Sequence, residues 1–424
     1  MQTTPKSLRL QLGLFGRTNV GKSSFLNMIA GQDIAITSSV AGTTTDVVEK
    51  PMELLPIGPV VFLDTAGLDD ETELGRERIK KTEKVFDRAD VVVILISGEN
   101  WGKTEDEIVA KAQNYNTPVV VVINKIDISP VSAEFVRKLE ADATVISVSS
   151  IDHENRDNYV NAFKSAIIKN CPEDFIKPPP LVGDLLPAGG LAMLIVPIDL
   201  QAPKGRLILP QVQTIRDALD NDASCWVVKE REYIDALNKL KDVPNLAICD
   251  SQVVLKMVAD TPENVPCTTF SILMSRLKGD LPLMAKGAQA IDSLKDGDKV
   301  LIAESCSHHA DADDIGRVKI PRWIRQYTGA DLTFEVFAGR DYPENLSEYK
   351  LVLHCGSCMH NRREMLSRIQ KAQEAGVPIT NYGIAISKVQ GVLERVLTPF
   401  PSALVAYCDS EISNETSEFN FTHF

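Results

Sequence analysis

Continuous apolar runs, each closed by a turn or polar residue, recur along the first part of the chain: 8–16 (LRLQLGLFG), 59–67 (PVVFLDTAG), 89–98 (ADVVVILISG), 117–127 (TPVVVVINKID) and 143–150 (ATVISVSS). Helical patterns lie between them. Uninterrupted apolar strands alternating with helices predict a parallel sheet covered on both faces. The pattern breaks at 171–184 (CPEDFIKPPPLVGD). Three successive prolines fit neither a helix interior nor a central strand, which makes this the clearest linker. A shorter βα alternation follows over 185–265, with strands at 191–199, 224–230 and 245–251 and no catalytic motif; a small dimerisation-type domain is the reading. From 266 to 424 a long helical stretch, 270–294, leads into a further α/β pattern with apolar runs at 298–305 (DKVLIAES), 332–339 (LTFEVFAG) and 349–356 (YKLVLHCG). The expected fold is therefore α/β in three domains: 8–170, 185–265 and 266–424, with 171–184 as linker.

Composition changes little in this picture. With 44% apolar and 24% charged residues, the chain reads as an ordinary soluble globular protein. A formal net charge of −13 argues against a nucleic-acid partner, which usually meets a basic face. The start lacks the apolar core of a signal peptide, and no apolar run is long enough to span a bilayer. The expectation is a cytoplasmic protein without a membrane partner. Its eight cysteines are then free, metal-binding or reactive rather than disulfide-bonded.

The first run ends in chemistry. GRTNVGKSS (16–24) fits G-x-x-x-x-G-K-[ST] with Gly16, Gly21, Lys22 and Ser23, and includes Asn19, Val20 and Ser24. It lies between a predicted strand and a predicted helix, the context this motif needs. Backbone N–H groups of such a loop close around phosphates, Lys22 would bridge the β- and γ-phosphates, and Ser23 would bind Mg²⁺. FLDTAG places Asp64 at a strand end and Gly67 in a turn, the arrangement of a Mg²⁺-holding aspartate and a γ-phosphate-sensing glycine. NKID supplies Asn124, Lys125 and Asp127; a carboxylate there accepts both N–H groups of a guanine edge, which adenine does not offer. VSS (148–150) brings Ser149 and Ser150 to the end of the next strand, where a backbone N–H meets guanine O6. GTP or GDP with Mg²⁺ is the expected ligand.

In this order and spacing the motifs resemble the translation-factor-like GTPases, Era and MnmE in particular, over about 8–170. The resemblance carries further expectations. AGTTTD (41–46) is similar to their first switch, so Thr44 would join Mg²⁺ when GTP is bound; Thr45 stands where that family has a basic residue. Leu68 follows DTAG where Ras-like enzymes place a water-orienting glutamine, so intrinsic hydrolysis should be slow. Asn19 matches an asparagine that helps bind K⁺ in MnmE-like enzymes; a plain turn residue is the alternative.

The C-terminal third holds a second chemistry. AESCSHH gives Cys306-x-His308 after one apolar run, and LHCGSC gives His354-Cys355-x-x-Cys358 after another. If those runs are parallel neighbours, both groups lie at the carboxyl edge of one sheet, where open α/β sheets bind ligands. Three cysteines suit a 4Fe-4S cluster with one exchangeable iron or a Cys₃His zinc site. The other five cysteines are scattered singly and read as buried small side chains.

C-x-H … H-C-x-x-C downstream of a GTPase domain resembles the HydF family, the maturation GTPases and scaffolds of FeFe-hydrogenase, over the whole chain. The resemblance implies that Cys306, Cys355 and Cys358 hold a 4Fe-4S cluster. It also implies a transient di-iron precursor built by the radical-SAM maturases HydE and HydG and delivered to the apo-hydrogenase HydA. His308 and His354 match the motif histidines, as ligands or as groups that orient a thiolate; Asp184 is a candidate oxygen ligand from outside the motif. The helix opening after Cys358, with His360, Arg362 and Arg363, suits an anionic iron fragment or is a solvated charged face. A regulatory GTPase with a structural zinc site is the rival reading.

Overall fold

The computed structural model describes residues 4–31, 47–65, 83–177, 179–197, 207–305 and 314–418. Thr44, Gly67, Leu68, Cys306 and His308 lie outside the described residues. The chain divides into two compact units, residues 1–178 and 179–424.

The first unit is built on a six-stranded sheet in the order β2-β3-β1-β4-β5-β6, with β1 Leu10–Phe15, β2 Val48–Leu54, β3 Gly58–Asp64, β4 Val91–Ser97, β5 Val119–Asn124 and β6 Thr144–Ser147. All pairings are parallel except β2 on β3. The uninterrupted apolar runs follow from burial on both faces. Val91, Val93 and Leu95 of β4 enter one core with Phe25 and Phe163. Val92, Ile94 and Ile96 enter the other with Phe86 and Ile108. Strand β2 escapes the periodicity reading because it is polar and contains Pro51, which a sheet tolerates at its edge.

The second unit holds two four-stranded parallel sheets. One, ordered β10-β9-β7-β8, comprises β7 Leu191–Ile195, β8 Ser224–Val228, β9 Leu246–Cys249 and β10 Cys267–Thr269. The other, ordered β12-β11-β13-β14, comprises β11 Lys299–Ala303, β12 Thr333–Phe337, β13 Leu351–His354 and β14 Ile379–Asn381. Met193 and Ile248 of the first belong to the same continuous core as Val300 and Leu353 of the second. The helix Leu281–Gly287 sits directly on β14: a Cβ on Gly287 would lie 2.1 Å from the Ile379 carbonyl oxygen, so the helix end approaches this closely because no side chain intervenes. The end of the proline-rich segment is docked into this unit. Leu181 and Val182 are buried in its core, and the backbone N–H groups of Val182 and Gly183 both donate to Asp217 Oδ2 at 2.7 Å.

Candidate functional site

In the first unit, the sheet's C-terminal edge gathers the nucleotide motifs. β1 runs into Gly16, and the helix Lys22–Ala30 begins after Gly21, which has φ +96°. A Cβ on Gly21 would lie 2.5 Å from Asn124 Nδ2, so both backbone angle and space demand glycine here. Lys22 Nζ reaches back over the loop and donates to the carbonyls of Gly16 (2.5 Å) and Arg17 (3.2 Å). Asn19 adopts φ +64°, and its carbonyl accepts from Lys125 Nζ at 2.7 Å.

Asn124, 1% exposed, ties two loops together. Its Nδ2 donates to the Val20 carbonyl at 2.9 Å, and its Oδ1 accepts from the Ser150 backbone N–H (3.1 Å) and hydroxyl (2.8 Å). Ser149 Oγ donates to Asp127 Oδ1 at 2.6 Å, orienting an otherwise exposed carboxylate. Asp64 ends β3 beside Leu14 of β1. Its Oδ2 accepts from Lys50 at 2.8 Å, while Oδ1 is buried with no hydrogen-bond partner among the described residues. A bare, buried carboxylate oxygen is costly unless a cation or donor meets it. With Ser23 opening the neighbouring helix, the donor set fits Mg²⁺.

One consequence is measurable. Asp127→Asn should weaken GTP binding about tenfold or more, because an amide cannot accept two N–H bonds where a carboxylate can. Xanthosine triphosphate should gain in the same assay. Competition binding with a fluorescent GTP analogue checks this; unchanged GTP affinity would remove Asp127 from base recognition.

In the second unit, β11 and β13 are parallel neighbours with Ala303 opposite His354. The two cysteine groups therefore follow adjacent strand ends of one sheet. Cys355 N–H donates to the Ala303 carbonyl at 2.9 Å, and the Ser305 backbone N–H donates to Cys355 Sγ at 3.1 Å. Ser305 is the covalent neighbour of Cys306. Burial pushes the Cys358 thiol up, and the nearby Lys278 ammonium offsets part of that rise.

Side chains that sequence reading passed over hold this loop. Lys278, 3% exposed, ends the helix Phe270–Lys278 and donates to the carbonyls of Ser357 (2.8 Å), Cys358 (3.4 Å) and His360 (2.6 Å). Burial brings its pKa down to about 8. Sequence alone offered no signal, since Lys278 stands in the last turn of FSILMSRLK, where a basic residue is ordinary. His354 is fully buried. Its Nδ1–H donates to the Cys355 carbonyl at 2.9 Å, and Nε2 accepts from Arg368 at 3.1 Å, so both ring nitrogens are engaged. Burial first, then the Arg368 charge, pushes its pKa to about 3, and the ring is neutral. Arg362 donates to the Leu277 and Gly279 carbonyls, and Asp184 is paired with both guanidinium nitrogens of Arg276. Among the described residues no three potential ligands converge; Cys306 and His308 stand outside that set. No helix among the described residues is long and apolar enough to cross a membrane.

These features define the class: a P-loop GTPase domain followed by further α/β structure. A family model described as "50S ribosome-binding GTPase" matches residues 11–125. Two others, "Hydrogen maturase F dimerization domain" and "Hydrogen maturase F tetramerization domain", match residues 181–279 and 282–399, together just over half of the chain. The chain belongs to the hydrogen maturase F (HydF) family. Among curated proteins it resembles the tRNA modification GTPase MnmE of Burkholderia lata, 42% identical over 125 residues (29% of this chain, 27% of that protein). MnmE of Dechloromonas aromatica is 39% identical over 145 residues (33% and 31%). The chain thus spans under a third of the length of these relatives. Among solved structures, Era of Aquifex aeolicus bound to GDP and AlF4⁻ is 17% identical, covering 86% of this chain and 98% of that one, with TM-score 0.31. The G domain of the T. maritima FeoB iron transporter is 18% identical, covering 38% and 98%, with TM-score 0.30.

Proposed function

We propose that this protein is a GTP-hydrolysing scaffold of FeFe-hydrogenase maturation. In this reading it binds a 4Fe-4S cluster through Cys306, Cys355 and Cys358, accepts a di-iron precursor from HydE and HydG, and passes it to HydA in the cytoplasm. The observation that carries the metal reading is the register Ala303 opposite His354, with the Ser305 N–H on Cys355 Sγ. Backbone N–H groups aimed at cysteine sulfur stabilise thiolate charge and tune cluster potential. The bound cluster would supply an iron open to exchange. His354 has both nitrogens occupied, which supports a role bracing the Cys355 backbone rather than ligation; His308 remains a candidate for a labile fourth ligand, and Asp184 one only on release from Arg276. His360 and the helix Arg362–Glu374 stand beside the loop, although Arg362 is spent on backbone carbonyls.

In the GTPase domain, Lys22 binds the β- and γ-phosphates, Ser23, Thr44 and Asp64 hold Mg²⁺, and Gly67 senses the γ-phosphate. Asn19 is the proposed K⁺ ligand, its backbone braced by Lys125. Assembly into a homodimer rests on the family models, which are named for dimerization and tetramerization. The deciding measurement is metal content after anaerobic purification. About four iron and four sulfide per chain supports the scaffold; a colourless protein with one zinc supports a regulatory GTPase with a structural metal site.

A further inference from the structure

Asp64 is held by a side chain that no nucleotide motif contains. In the antiparallel pair of β2 and β3, Val48 stands opposite Asp64 and Lys50 opposite Phe62. Lys50 is therefore diagonal to Asp64 on one face, within reach for a long side chain. Its ammonium lies 2.8 Å from Asp64 Oδ2. The neighbouring Glu49 is occupied by Lys6 (2.7 Å) and Arg88 (2.9 Å), so these two adjacent charges of the strand serve separate partners. Asp64 presents its other oxygen, Oδ1, buried and without a protein partner among the described residues. One oxygen of the carboxylate is thus met by a protein cation and the other is left for a second cation.

We propose that Lys50 is a built-in counter-cation for the magnesium aspartate, competing with Mg²⁺ for Asp64 and so setting the metal concentration at which nucleotide is locked in. The inference rests on Asp64 being a Mg²⁺ ligand. Two positive charges drawn to one partly buried carboxylate repel, and Mg²⁺ gains the full carboxylate only as Lys50 loosens its hold. The strand that feels this exchange begins at Val48, four positions after Thr44.

The test uses the full chain loaded with fluorescent GDP, following its release while Mg²⁺ is titrated against EDTA. Lys50→Met should lower the Mg²⁺ midpoint about three- to tenfold, the scale of releasing a largely buried ion pair plus its repulsion of the metal. Lys50→Gln should shift it the same way, so the result does not hang on one variant's fold. Lys50→Arg should stay within about twofold of the unmodified protein, since the charge remains. Asp64→Asn should raise the midpoint. A Lys50→Met and Lys50→Gln midpoint that is unchanged or higher, with Asp64→Asn raised, overturns the competition and leaves Asp64 as a ligand. An Asp64→Asn midpoint equal to that of the unmodified protein overturns the ligand reading beneath it.

Discussion

Replacing Cys355 by serine should give a protein that still hydrolyses GTP but has lost most of its iron. The sulfur of Cys355 accepts the Ser305 N–H and sits at the end of β13, next to the strand that leads to Cys306. A serine hydroxyl there is a poor ligand for iron, which prefers thiolate. Changes merely around a metal site cost ten- to a hundredfold in affinity, so losing a ligand should lower iron content about tenfold or more. Hydrolysis should stay within about twofold, because residues 1–178 form their own compact unit with its own cores and carry all of the nucleotide motifs in sequence. Cys408→Ser, at a cysteine outside the motif in the helix Pro401–Glu418, is the matched control and should keep its iron. Iron and sulfide assays with the visible spectrum decide the matter. A Cys355→Ser protein with full iron would sink the cluster assignment.

The mirror experiment concerns Lys22. Its ammonium spans the carbonyls of Gly16 and Arg17, which places it at the mouth of the loop that would cradle the phosphates. Lys22→Ala removes the loop cation proposed to meet the transferring phosphoryl group, and losing a group of this kind costs about a hundred- to a thousandfold in rate. Iron content should not change. The readout is phosphate release under saturating GTP. A variant retaining more than about a tenth of the original rate would contradict the assigned role. Run on the unmodified protein, the same assay reports on Asn19: turnover should be faster in K⁺ than in Na⁺, and equal rates would remove that ion.

Much of this was legible in the chain itself. Parallel strands buried on both faces must be apolar throughout, so β1, β4 and β5 announce themselves, and their polar closing residues mark the functional edge. The same logic located β11 and β13 and hence the cysteine groups. What stayed hidden depends on partners distant in sequence. Lys50 reads as a surface charge in a polar stretch until β2 is paired with β3. Lys278 reads as the polar end of an amphipathic helix until three carbonyls of residues 357–360 are found around it. Arg368 likewise looks like a solvated helix residue, yet it is buried against His354.

Asn124 has a consequence for how the nucleotide leaves. One amide grips the phosphate loop at Val20 and the base-side loop at Ser150. The two loops proposed to hold the two ends of the nucleotide therefore share a hinge pin, and they would act like the arms of a chelate, in which each arm keeps the other at high effective concentration. Release would then be a single concerted opening rather than a peeling from one end. A nucleotide with the wrong base would then suffer at its phosphates too, so selectivity read at the purine would be carried through to the bond that breaks.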